Sequence, residues 1–258
     1  MAVEGFDLSG KNALVIGAGS SVGRAIALAL AEAGARVTVA SAGESKDDVA
    51  AAEETARQLA ARGQNTTAKR LNPIALDRVE AIVADAASEM GSIDILVNCC
   101  DLFMAKPVAE ITAGEWDKVL RLNLDSVFFA CKAVGPLMLR QKRGRIINVA
   151  SGLGERGLPN CSAYCAAKGG VLNLSRALAQ EWAAQGITVN CIAPAWMEDT
   201  PGLGDPNPEA NRLIRFIPMR RPGKPEEVGP LAVYLASDSA GYMTGRTLFV
   251  DGGLLAHL

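Results

Sequence analysis

The chain is poor in the side chains that several function classes require. It carries one histidine, His257, close to the last residue. Zinc is held by four His, Cys or acidic ligands. The six cysteines, with Cys99–Cys100 adjacent and Cys161–Cys165 four apart, do not supply such a set, so no metal is expected. They also lack the spacing of a disulfide framework. Four of them fall in or beside strand-like and helix-like stretches, where small core residues sit, and a reducing cytoplasm is the simplest setting. The net charge is −2, which gives no basic excess for gripping nucleic acid. Trp116, Trp182 and Trp196 are too scattered for base stacking. No run approaches the eighteen or so apolar residues of a membrane span, and "MAVEGFDLSGK" has no basic start followed by an apolar core, so neither membrane nor leader peptide is expected.

What is present is alternation. "KNALVIG" (11–17), "RVTVAS" (36–41), a weaker "TTAKRL", "IDILVN" (93–98), "RIINVA" (145–150), "ITVNCIA" (187–193) and "TLFV" read as strands. Helical patterns lie between them: about 22–33 with a stop at Gly34, 45–62 ending at Gly63, 76–90 before Gly91, 112–140, 161–185 before Gly186, and "PEEVGPLAVYLAS" with Pro225 in its first turn. Thr112 and Glu115 form a capping-box pattern. Apolar strands joined by helices imply an α/β fold: one domain over 1–258, a Rossmann fold with a doubly wound, seven-stranded parallel sheet and helices on both faces. Residues 196–216, rich in Pro, Gly and acid at their start, are expected to form a lid loop.

Two stretches carry chemistry. The first strand runs into "GAGSSVGRAIA", where Gly17, Gly19 and Gly23 let the backbone turn and approach a pyrophosphate at a helix N-terminus. Ser20, Ser21 and Val22 complete that turn. At the end of the second strand stand Ser41 and Ala42. No acid is there to repel a 2′-phosphate, and the Ser41 and Ser45 hydroxyls could donate to one. This favours NADP(H) over NAD(H), with Glu44 arguing the other way. The second stretch is "SAYCAAK". Tyr164 and Lys168 share a helix face, and an ammonium neighbour favours the phenolate, fitting the tyrosine for proton transfer. Ser151 closes a strand, at the sheet end where ligands bind, and its hydroxyl could hold a substrate oxygen.

These motifs resemble the classical short-chain dehydrogenase/reductases, and in particular their β-ketoacyl carrier-protein reductase-like members. The pieces are "SAYCAAKGG" with Ser151 thirteen residues before its tyrosine, "RLNLDSVFF", "ITVNCIAPA", "GKPEEV", "LASDSAGYMTG" and "VDGG". The resemblance implies a catalytic set of Ser151, Tyr164, Lys168 and Asn123, the last supporting a proton relay from the lysine through water. It implies cofactor contacts from the glycine loop, from Asn98 and Cys99, from Tyr164 and Lys168, and from Pro194, Ala195 and Met197. It also implies a homotetramer paired through the two long helices, with Phe128, Phe129, Val134 and Leu137 on or under that face.

Departures from the pattern are Ile16, Ser21, Asn72, and "NCCD" ending in Asp101 where the family has "NNAG". They cluster around the cofactor and are expected to leave the catalytic groups untouched. The substrate pocket is assigned to Leu102, Leu153, Glu155, Leu158, Cys161 and Trp196, which suits a small hydrophobic ketone or secondary alcohol. "RQKRGR" (140–145) is a basic cluster that a carrier protein could use, a reading not favoured here. The activity expected is NAD(P)-dependent ketone–alcohol interconversion. The alternative is a cofactor-binding sensor or a catalytically weak subunit of a hetero-oligomer.

Overall fold

The computed structural model describes residues 5–43, 45–64, 66, 68–200 and 213–256. Glu44, His257 and most of the expected lid, 201–212, lie outside the described residues.

The strands are β1 (Asn12–Ile16), β2 (Arg36–Ala40), β3 (Ala68–Lys69), β4 (Ile95–Asn98), β5 (Gly144–Val149), β6 (Ile187–Pro194) and β7 (Thr247–Val250). They form one sheet in the order β3-β2-β1-β4-β5-β6-β7, with every pairing parallel. The helices are α1 (Ser21–Glu32), α2 (Lys46–Ala60), α3 (Leu76–Met90), α4 (Ala113–Leu120), α5 (Ser126–Gln141), α6 (Ser162–Trp182) and α7 (Gly229–Ala236).

Period-two alternation divides each strand between two cores. Leu14, Ile16 and Leu96 face α3, α5 and α6, where they meet Val83, Val134 and Trp182. Ala13, Val15, Ile95 and Val97 face α1, α2 and α7, where they meet Ile26, Leu30, Leu59 and Leu235. Covering both faces leaves these strands without a polar side. A fully buried Leu or Ile contributes about 1.5–3 kcal/mol, so the two layers hold the sheet rigidly.

Local signals set the helix ends. Ser20 and Ser45 accept from the amides of Gly23 and Asp48, and Thr112 and Glu115 complete the expected capping box. Gly91 ends α3 at φ +87°, a conformation open to a residue without Cβ. Two helices differ from expectation. The span 112–140 is broken by a π-helical turn at Arg121–Asp125, placed around Asn123. "PEEV" forms a 3-10 turn, Pro225–Glu227, and α7 proper starts at Gly229.

The stretch Ala113–Gln141 has a composition apolar enough to cross a membrane. Here it is a core helix: Val127, Ala130, Cys131, Val134 and Met138 pack against the sheet, and Lys118, Arg121, Asp125 and Lys132 are spaced along it. Of the residues assigned to an oligomer face, Val134 is buried in the core, Phe129 and Leu137 pack against it, and Phe128 is exposed.

Candidate active site

The chain direction reverses across the sheet between β1 and β4, which opens a crevice at the C-terminal strand ends. A cavity of about 280 Å³ lies there. One wall is the start of α1, Ser20 to Val22. The strand ends contribute Cys99 to Asp101 from β4, Val149 to Leu153 from β5, and Pro194 to Met197 from β6. Tyr164 and Lys168 enter from α6.

The α1 turn is built for close approach. Gly17 has φ +83°, and a Cβ there would sit 2.5 Å from the Cys99 backbone. A Cβ on Gly23 would sit 2.3 Å from the Gly17 carbonyl oxygen. Ser20 Oγ donates to that carbonyl and accepts from Gly23 N, both at 3.0 Å. Amides at the N-terminus of a twelve-residue helix then point at the cavity, the arrangement that receives a pyrophosphate. The donor set therefore fits a dinucleotide.

The polar centre holds Ser151, Tyr164, Lys168 and Asp101. Lys168 is 1 % exposed, and its Nζ lies 2.8 Å from Asp101 Oδ1, 3.4 Å from the Val149 carbonyl and 3.5 Å from the Cys100 carbonyl. A buried ammonium requires such pairing. The Tyr164 hydroxyl donates to the same Asp101 oxygen at 2.8 Å, and Ser151 faces the same cavity. Burial, followed by the charge of Asp101 and the hydrogen bond to it, pushes the Tyr164 phenol well above its ordinary value, while the Ser151 contact acts the other way. The ammonium was expected to ease phenolate formation; in the free protein Asp101 takes up that charge.

Asp101 thus corrects the expectation that the departures spare the catalytic groups. It touches both the tyrosine and the lysine, and its side chain remains 44 % exposed. The neighbouring thiols stay protonated at neutral pH, since burial pushes Cys99 up to about 11 and Cys100 up to about 12.

Three comparisons with known proteins agree with this geometry. Residues 17–255 match the family described as enoyl-(acyl carrier protein) reductase. The chain is 38 % identical to the 3-oxoacyl-(acyl-carrier-protein) reductase of Staphylococcus aureus over 246 residues, covering 95 % of this chain and 98 % of that one. A putative short-chain alcohol dehydrogenase from Sinorhizobium meliloti superposes with a TM-score of 0.92 at 37 % identity, covering 98 % of this chain and 99 % of the other. The chain belongs to the short-chain dehydrogenase/reductases. It is an NAD(P)-dependent oxidoreductase that interconverts a ketone and a secondary alcohol by hydride transfer. A putative NAD(P)-dependent gluconate 5-dehydrogenase from Beutenbergia cavernae, with NADP bound, superposes at a TM-score of 0.90 and 37 % identity, covering 98 % and 99 % of the two chains.

Against this family's pattern the sequence-assigned residues divide. Ser20, Ser21, Val22, Cys99, Ser151, Leu153, Tyr164, Lys168, Pro194, Ala195, Trp196 and Met197 line one cavity. Gly17, Gly19 and Gly23 shape its α1 wall without lining it; a Cβ on Gly19 would meet Ala51 Cβ of α2 at 2.8 Å. Asn98 is turned into the sheet, where its Nδ2 donates to Asn148 Oδ1 at 2.8 Å and Asn148 Nδ2 donates to Ser175 Oγ at 2.8 Å. This buried chain ties β4, β5 and α6 together. Asn123 is fully buried. Its Oδ1 accepts from Leu102 N, and its Nδ2 donates to the Leu102 and Val119 carbonyls, at 3.0–3.1 Å. Its visible task is to brace the segment that follows Asp101.

Four pocket assignments move elsewhere. Leu102 packs with Val119, Ala163 and Ala167 below the cavity. Cys161 and Leu158 pack in one cluster with the cavity residues Leu153, Tyr164, Phe103 and Trp196 without lining the cavity themselves. Glu155 turns outward, 3.7 Å from Arg176. In their place the family pattern missed Phe103, whose ring stands edge-on to Tyr164 at 5.2 Å and to Trp196 at 6.1 Å. Asp199, Thr200 and Leu254 also line the cavity. Phe103 carried no signal of its own, because nothing local marks which loop aromatic folds inward.

Ser41 is corrected as well. It is fully buried; its Oγ donates to the Gly43 carbonyl at 2.6 Å and accepts from Leu71 N at 3.0 Å. Ser45 Oγ caps α2 and donates to Asp48 Oδ2 at 2.6 Å. Neither hydroxyl remains for a 2′-phosphate. Ala42 is half-buried and packs against the core. An acid also stands nearby, from the first turn of α2: Asp48 Oδ2 comes within 2.5 Å of where a Cβ on Gly43 would be.

The basic cluster 140–145 sits at the start of β5, and Ser151 follows that strand's other end. Six residues of strand separate them, about 20 Å. Arg143 pairs with Asp94 at 2.8 Å and Arg145 with Asp238 at 3.2 Å. A partner gripping this cluster would face the opposite end of the strands from the cavity.

Proposed function

We propose that the enzyme reduces small, hydrophobic, uncharged ketones, with Tyr164 as the proton donor and acceptor. The observation that carries this reading is the convergence of Tyr164, Ser151 and Lys168 on one cavity whose opposite wall is the α1 N-terminus. The amides of Ser20 to Val22 would hold the pyrophosphate, and Lys168, Cys99 and the Pro194–Met197 segment the nicotinamide half. When bound, the cofactor supplies or accepts the hydride. Ser151 orients the substrate oxygen. Tyr164 gives that oxygen a proton as the carbonyl is reduced, and takes one back in the reverse direction. Phe103, Leu153, Trp196 and Leu254 favour an apolar substrate, and Asp199 at the same cavity disfavours an acidic one. Turnover of reduced nicotinamide with a panel of aliphatic and aromatic ketones tests the reading. No turnover with any of them, alongside normal cofactor binding, would return the chain to the sensor reading.

NADP(H) remains the proposed cofactor on two grounds: no carboxylate directly follows β2, and the Beutenbergia relative holds NADP. The Asp48 carboxylate beside Gly43 works against the phosphate. Asp48→Ser is therefore expected to raise the ratio of kcat/KM for NADPH over NADH about tenfold, which corresponds to roughly 1.4 kcal/mol. Steady-state kinetics with both cofactors reads this ratio, and an unchanged ratio would remove Asp48 from the adenosine end.

A cytoplasmic homotetramer is proposed from the family and from the exposure of Trp116 and Phe128 on the 113–141 helix. Light scattering should give four times the 26.9 kDa chain mass. Phe128→Glu should yield smaller species, and a monomeric wild type would overturn the assembly.

A further inference from the structure

We propose that Asp101 is a positioning residue that keeps Tyr164 in its proton-donating form, so that the carbonyl-reducing direction runs over a wide pH range while alcohol oxidation is confined to alkaline solution. The proposal rests on the reading of Tyr164 as the proton-transfer group. One oxygen, Asp101 Oδ1, accepts the Tyr164 hydroxyl at 2.8 Å and meets Lys168 Nζ at 2.8 Å. Ionising Tyr164 would place a second anion against this carboxylate. It would also break the hydrogen bond, because a phenolate has no proton to give. The buried ammonium, which alone would favour the phenolate, is already paired.

Other groups facing this oxygen do not offset it. Ser151 is neutral, Cys99 and Cys100 are thiols, and Asp199, on the same cavity, adds negative charge. Asn123 holds the following residue, Leu102, by two hydrogen bonds and is itself tied to the Val119 carbonyl by a third, which fixes the backbone from which Asp101 projects.

The chemistry is balanced as follows. In reduction the hydride forms the new C–H bond, the Tyr164 O–H bond breaks, and its proton forms the alcohol O–H. Solvent then returns a proton to the phenolate, past the half-exposed Asp101. In oxidation the phenolate must exist first, and it takes the alcohol proton as the hydride leaves. The overall equilibrium is unaltered by the protein. What Asp101 sets is the pH at which the oxidation-competent form is populated.

Titration of the free protein labelled with 13C at tyrosine Cζ reads Tyr164 directly; Tyr234 and Tyr242 are the other two tyrosines, and Tyr164→Phe identifies the resonance. Asp101→Asn keeps an acceptor and removes the charge. It is expected to move the Tyr164 ionisation to lower pH by about one unit or more, the effect of deleting one adjacent like charge. The acidic limb of the alcohol-oxidation profile should move by the same amount. Asp101→Glu should restore the wild-type profile, and Asp101→Gly, which removes the half-exposed side chain altogether, should shift as the Asn variant does. If neither the resonance nor the oxidation limb moves in the Asn and Gly variants, the proposal is wrong. If the resonance moves but Tyr164→Phe retains full activity, the titration stands and the catalytic reading of Tyr164 is what fails.

Discussion

Tyr164→Phe is expected to lower kcat for ketone reduction by about 10²–10⁴-fold, the usual contribution of a positioned general acid. The change removes one oxygen and little else. The ring is 6 % exposed and keeps its edge-on contact with Phe103 at 5.2 Å. The lost hydrogen bond to the Asp101 carboxylate is worth about 1.5–3 kcal/mol, and that carboxylate keeps its pairing with Lys168, so the fold should survive. Affinity for reduced nicotinamide, read by fluorescence, should change by less than about threefold, because the glycine turn and the β6 segment are untouched. This split between turnover and binding separates an acid–base role from a structural one. Undiminished turnover in the variant would leave the chain with a nucleotide site and no proton donor.

The second large effect is expected at Gly17. Its φ of +83° lies in the left-handed region, which costs a residue with Cβ about 1–2 kcal/mol. The added methyl would also stand 2.5 Å from Cys99 C and O and 2.7 Å from Cys100 N. These are backbone atoms at the end of a central strand, so they cannot swing aside as a side chain would. Overpacking of this kind costs about 1–3 kcal/mol more. Gly17→Ala should therefore destabilise the protein by about 2–5 kcal/mol, which for a chain of this size lowers Tm by roughly 5–15 °C. The variant should also weaken dinucleotide binding more than tenfold, since relief of the clash has to displace either the α1 turn or the Cys99–Asp101 segment. Thermal denaturation with and without cofactor checks both parts, and a wild-type Tm would contradict the close-packed turn.

Much of this architecture was written in local patterns. Two-sided strand burial needs only runs such as "IDILVN", and the alternation of strand and helix then leaves a parallel sheet as the economical packing. Ser20, Thr112 and Gly91 announce helix ends because capping acts over three or four residues. Tyr164, Lys168 and Ser151 were legible for a similar reason: two share a helix face, and the third ends a strand whose direction is fixed by the topology.

The misreadings of polar groups share one feature, which is that each concerns where a side chain finds its partner. Ser41 looked free until Leu71, thirty residues away, supplied the amide it accepts from. The second strand looked free of an adjacent acid until α2 swung Asp48 against Gly43. Asn98 looked like a cofactor contact and is instead the first link of a chain through Asn148 to Ser175.

The sequence by itself therefore determined the fold class, the glycine turn and the placing of Tyr164 and Lys168 on one helix face, because periodicity, capping and helical spacing are short-range properties of a chain. Only the tertiary structure decided that Asp101 holds the tyrosine and the lysine through one oxygen. A carboxylate sixty-three residues before its tyrosine has no local signature; β4 and α6 must first be packed on the same sheet before charge and hydrogen bonding at 2.8 Å can act.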